Sequence, residues 1–89
     1  MQTVLEKINQ RERQVLLHSY LYYELDKSIV DDFKFTQWTY EVVDLMKNYP
    51  EEFLKSVYYE DFKDYEGATG HGLDYAKPEI VKVANWLTR

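Results

Sequence analysis

The chain contains no cysteine. Disulfides, thiolate zinc sites and cysteine nucleophiles are therefore excluded, and a reducing, cytoplasmic setting fits. Glycine and proline are scarce, three and two in 89 residues, so long uninterrupted elements are expected. Bases are outnumbered, with 11 Lys and Arg against 16 Asp and Glu and a net charge of −5. Gripping a phosphate backbone needs clustered Lys and Arg, so direct nucleic-acid binding is not expected. The balance suits a soluble protein, or one whose partner is basic. Long apolar runs are also missing. The segment Met1-Gln2-Thr3-Val4-Leu5-Glu6-Lys7 is charged within its first turns, so neither a signal peptide nor a membrane span is read.

What is present is core material. Hydrophobic residues make 45% of the chain and aromatics 17%, well above the composition of a disordered segment. The length suffices for one domain, residues 1–89, and not for two.

The patterning is helical. Residues 3–25 contain no Gly or Pro, and Val4, Ile8, Val15 and Tyr22, with Leu5, Leu16 and Ser19, recur at three-four spacing. Thr3 and Glu6 have the spacing of a capping box. Glu12 shares a face with Leu16 and Arg11 with Val15, which interrupts the stripe in its middle. Asp26, Ser28 and Asp31 mark a short connection. A second helix is predicted over 32–48, with Phe35, Trp38, Val42, Leu45, Met46 and Tyr49 on its apolar face and Pro50 as its stop. Two long amphipathic helices with a short link pack as an antiparallel hairpin. Pro50 also opens a third helix, with Phe53, Leu54, Val57, Tyr58 and Phe62 as its stripe. Residues 64–77 read as an ordered loop. A closing helix starts near Pro78, with Ile80, Val83, Ala84 and Leu87 inward. The expected fold class is all-α, a helical hairpin plus one or two shorter C-terminal helices.

Within the hairpin, Tyr20, Tyr22, Tyr23, Leu25, Asp26, Asp32 and Pro50 fall in register with a pattern of Tyr-x-Tyr-(Tyr/His)-x-x-Asp-x-Pro, then Asp-x-x-Tyr-Asp, then a Pro after an amphipathic run. Glu41, Val42 and Leu45 echo it further on. In these residues the segment 3–50 resembles the N-terminal Ia domain of bacterial NAD-dependent DNA ligases, with the match concentrated between His18 and Pro50. That domain grips the nicotinamide mononucleotide half of NAD, paired aromatics packing on the nicotinamide ring. The resemblance implies Tyr22, Tyr23 and Asp32 as retained contacts. It also implies two losses: the family tyrosine is Phe35 here and the next family aspartate is Thr36, while the turn proline is Ser28. A lost polar contact costs about 1–3 kcal/mol, so the implied binding of nicotinamide mononucleotide or NAD is weak. No Lys-x-Asp-Gly occurs, and the length excludes a nucleotidyltransferase fold, so the chain is not a ligase by itself. Small proteins resembling this domain suggest a phage or prophage accessory role by analogy.

Two other segments carry candidate chemistry. Glu66-Gly67-Ala68-Thr69-Gly70-His71-Gly72 holds all three glycines. It lacks the Gly-Lys-Ser/Thr ending of a P-loop and reads as a turn-bearing connection, in which His71 is a candidate for acid, base or ligand work. His18 reads as a packing or surface residue, and no histidine spacing supports a metal site. The acids between Glu51 and Glu66 interleave with aromatics. Tyr58, Tyr59, Glu60, Asp61 and Tyr65 are the candidate surface for an alternative function, an acidic, tyrosine-rich interaction module or inhibitor that covers a basic groove on an enzyme. No cofactor is required on either reading, and neither calls for catalysis.

Overall fold

A computed structural model describes residues 2–27, 29–67 and 73–88. The described residues form five helices and no strand: α1 (Val4–Tyr23), α2 (Asp32–Asn48), α3 (Pro50–Leu54), α4 (Tyr59–Phe62) and α5 (Pro78–Thr88). The protein is all-α, as the periodicity predicts.

Local chemistry sets the ends of the hairpin. The Thr3 hydroxyl accepts the Glu6 N–H at 3.1 Å, and the Glu6 carboxylate accepts the Thr3 N–H at 3.3 Å, a complete capping box. At the other end of α1, Asp26 takes a left-handed φ of +50°, and the Lys27 N–H returns to the Leu21 carbonyl at 2.8 Å. Aspartate tolerates that backbone better than most residues. Asp31 caps α2 by accepting the Lys34 N–H at 2.7 Å.

α1 packs on α2, α3 and α5, and α2 packs on α3. The shared core holds Ile8, Val15 and Leu16 from α1, Trp38, Val42, Val43 and Met46 from α2, and Phe53, Phe62 and Ile80 from the rest. Arg11 bonds Glu41 at 2.6 Å, and the His18 ring lies 5.1 Å from that of Trp38. These pairs fix an antiparallel register that brings the last turn of α1 to the first turn of α2.

The predicted third helix is broken. α3 stops at Leu54 and α4 starts at Tyr59, leaving Leu54 and Val57 exposed, not inward. The cause is long-range. Side chains of α1 take hydrogens the helix would have used: Asn9 Oδ1 accepts the Val57 N–H at 2.9 Å, and Glu12 Oε1 accepts the Tyr58 N–H at 3.3 Å. The backbone tightens to i→i−3 bonds from Lys55 and Ser56.

Three apolar faces also differ from prediction. Leu21, not Tyr22, is the buried residue near the end of α1. In α2, Thr39 and Val43 are buried and Tyr49 is exposed. The reason is a second contact on that helix: a Cβ added at Gly67 would sit 3.3 Å from Tyr40 Cδ1 and 3.4 Å from Val43 Cγ2, so the chain crosses α2 there. In α5 the inward strip is Ile80 and Ala84, with Val83 and Leu87 exposed. One small residue at the contact lets α5 lie close on a narrow line.

Candidate functional site

The tyrosines Tyr20, Tyr22 and Tyr23 sit at the end of α1, and Asp32 opens α2 at the same end of the hairpin. Tyr22 is 53% and Tyr23 39% exposed, while Tyr20 packs against the core. Tyr22 meets Tyr23 edge-on, with centroids 5.0 Å apart and planes at 85°. A residue that sequence reasoning did not single out completes the group. Tyr75, from the segment before α5, lies parallel to Tyr23 at 5.9 Å and 12°, and edge-on to Tyr20 at 6.2 Å. Its hydroxyl donates to Glu24 Oε1 at 3.1 Å. Partial desolvation, then that bond to a carboxylate, holds the Tyr75 phenol above its ordinary pKa.

Tyr65 borders this group. Burial raises its pKa, against a hydrogen bond with Thr39, and the Tyr23 and Tyr40 phenols lie close enough to add to the rise. Asp32 is exposed, as are Asp26 and Asp31. None of these carboxylates, nor Glu24, is ion-paired among the described residues. Phe35 is half-buried against the core. The Thr36 carbonyl accepts the Thr39 hydroxyl at 2.7 Å. Exposed apolar side chains continue around this end at Ile29 and Phe33.

The second candidate surface is distributed differently. Tyr58 is buried and its hydroxyl donates to Glu79 at 2.7 Å; burial first, then Glu79, pushes its pKa up to about 12. Asp61 is half-buried and bonded to Lys77 at 3.1 Å. Tyr59 packs on Phe53 at 4.7 Å, and Tyr65 meets Phe62 edge-on at 5.2 Å. Only Glu60 is exposed, and it pairs with Lys63 at 2.9 Å. The five residues therefore do not share one open face. The network they join fastens the C-terminal third of the chain to α1.

Glu12 is the centre of that network. It is fully buried, accepting the Ser56 hydroxyl at 2.9 Å and the Tyr58 N–H at 3.3 Å, with no cation bonded to it among the described residues. Desolvation raises its pKa to about 7, against the two hydrogen bonds, and Asp61 adds to the rise. The sequence signal for this residue was its place on the apolar stripe, four residues from Ile8 and from Leu16.

His18 is packed on Trp38, and burial lowers its pKa. His71, Gly70, Gly72 and Ser28 lie outside the described residues. Of the glycine-rich loop, Gly67 is seen with φ +98°. No cluster of His, Cys, Asp or Glu suited to a metal ion occurs among the described residues, and no described helix is long and apolar enough to cross a membrane.

No family model, no curated protein and no solved structure matches the chain. The class the geometry defines is a small all-α helical-hairpin protein with an aromatic group at the hairpin end.

Proposed function

We propose that this is a non-catalytic binding protein whose site is the tyrosine end of the α1/α2 hairpin, where Tyr22 and Tyr23 pack on the nicotinamide ring of nicotinamide mononucleotide or NAD and Asp32 helps hold its ribose and phosphate. The supporting observation is exposure. Tyr22 and Tyr23 stand at the surface, 53% and 39% accessible, and are not consumed as hairpin core. The nicotinamide ring of these nucleotides is a flat cation. Tyrosine faces attract such a group by about 0.5–1 kcal/mol at exposed sites, and Glu24 and Asp32 place negative charge at the same end.

The binding is weak. Phe35 offers no hydroxyl, and Thr36 offers no carboxylate, where the ligase-type pattern has both. The acidic interaction module has less to draw on, because Tyr58 is buried and Asp61 is tied to Lys77.

Thermal unfolding in the presence of ligand tests the reading. Millimolar nicotinamide mononucleotide and NAD are expected to raise the Tm, while adenosine monophosphate, which lacks the cationic ring, leaves it unchanged. Absence of any shift with the nicotinamide nucleotides, or an equal shift with adenosine monophosphate, contradicts the proposal.

A further inference from the structure

We infer that Tyr75 is an internal occupant of the tyrosine end, seated where a ring ligand would stack and displaced when one binds. This rests on the reading that the tyrosine end takes a ring.

The geometry excludes a sandwich. The Tyr23 and Tyr75 planes are within 12° of parallel, and their centroids are 5.9 Å apart. The perpendicular gap between two such rings cannot exceed the centroid distance. A flat ring inserted between them needs about 7 Å, two contact distances of about 3.5 Å. There is no room, so Tyr75 cannot serve as the second wall of a cage in this arrangement. Tyr22 stands edge-on to Tyr23 at 5.0 Å and takes up further contact around that ring. A ligand that stacks on the Tyr23 face covered by Tyr75 must replace it.

Tyr75 also matches a ligand in its polar contact. Its hydroxyl donates to Glu24, a carboxylate suited to face a cationic ring, so it masks charge as well as aromatic surface. The segment holding it is anchored independently of the Tyr75 ring. Leu73 is buried in the core, and Lys77 bonds Asp61 at 3.1 Å. Removing the ring therefore uncovers Tyr23 without releasing the segment.

Tyr75→Ala and Tyr75→Phe, compared with the wild type, test this with two readouts. In titrations with nicotinamide mononucleotide, Tyr75→Ala is expected to bind about three- to tenfold tighter, the equivalent of one aromatic stack. Tyr75→Phe keeps the core contact and loses only the bond to Glu24, so a smaller tightening of about twofold is expected from losing an exposed hydrogen bond. Without ligand, nitration of Tyr23 by tetranitromethane, followed by mass spectrometry, is expected to accelerate in Tyr75→Ala. Weaker nucleotide binding by Tyr75→Ala would make Tyr75 a wall of the site and overturn the inference. So would nitration of Tyr23 at the wild-type rate. If no variant binds the nucleotide while nitration of Tyr23 still accelerates, the proposed function fails and Tyr75 stands as the cover of Tyr23.

Discussion

Ser56 donates its hydroxyl to Glu12 at 2.9 Å inside the core, across 44 residues of chain, and the Tyr58 N–H donates to the other carboxylate oxygen. Two donors, and no cation bonded to it among the described residues, leave a buried carboxylate that is costly when ionised. Its protonated form keeps both partners, accepting from the Tyr58 N–H and donating to Ser56 Oγ.

This arrangement makes stability depend on pH. Glu12 has a folded pKa of about 7, above the ordinary 4.5. Below pH 4.5 both states hold the proton and nothing is lost. As pH rises from there to about 7, the unfolded chain releases a proton that the folded chain keeps, so stability falls, and it levels off above 7. Burial of His18 acts in the opposite sense, removing stability as pH falls below 6.5. Glu12→Gln isolates the first effect, because its amide can donate to Ser56 and its carbonyl can accept from Tyr58. Urea titrations at pH 5 and pH 8 are expected to show the variant gaining on the wild type by about 2 kcal/mol between the two pH values. A constant difference across that range would contradict the assignment.

Glu12→Ala has the reverse outcome. It strands the Ser56 hydroxyl and the Tyr58 N–H in the interior and opens a cavity. A loss of about 2–4 kcal/mol is expected at pH 5, where the wild-type residue is neutral. Thermal or urea unfolding checks it, and a loss under 1 kcal/mol would mean the clasp is not structural.

Much of the hairpin was legible because its signals are local. Thr3 and Glu6 start α1, Asp31 starts α2, and Pro50 separates α2 from α3, each acting within four residues. The break at 55–58 was not legible. It depends on Asn9 and Glu12, more than forty residues away, capturing N–H groups that a helix would use. The same holds for Tyr75. Within its own segment it is one more loop tyrosine, and only the contact with Tyr23 and the bond to Glu24, 51 residues distant, gives it a role. Tyr58 and Asp61 looked available because acids and tyrosines favour surfaces. Burial and the partners Glu79 and Lys77 decided otherwise.

Gly67 is held by both its backbone and its neighbours. Its φ of +98° disfavours any side chain, and a Cβ would press on Tyr40 at 3.3 Å. Gly67→Ala is expected to cost about 1–3 kcal/mol in urea unfolding. A neutral result would show that the chain around 67 moves off α2 at little cost.

Phe35→Tyr with Thr36→Asp restores the two groups that the ligase-type pattern has and this chain lacks. Each regained polar contact is worth about 1 kcal/mol, so nicotinamide mononucleotide is expected to bind about tenfold tighter or more in the double variant. Calorimetric titration checks it, and unchanged affinity would place the ligand, if bound, elsewhere.

The most direct test of the central claim is a nitrogen-15 chemical-shift titration with nicotinamide mononucleotide. The proposed site predicts perturbations concentrated at 20–24 and 73–77, which meet through Tyr23, Tyr75 and Glu24, and at 32–36, which opens α2 at the same end of the hairpin. Perturbations confined to 56–66 or to the 82–86 face of α5, or none at millimolar nucleotide, would contradict it.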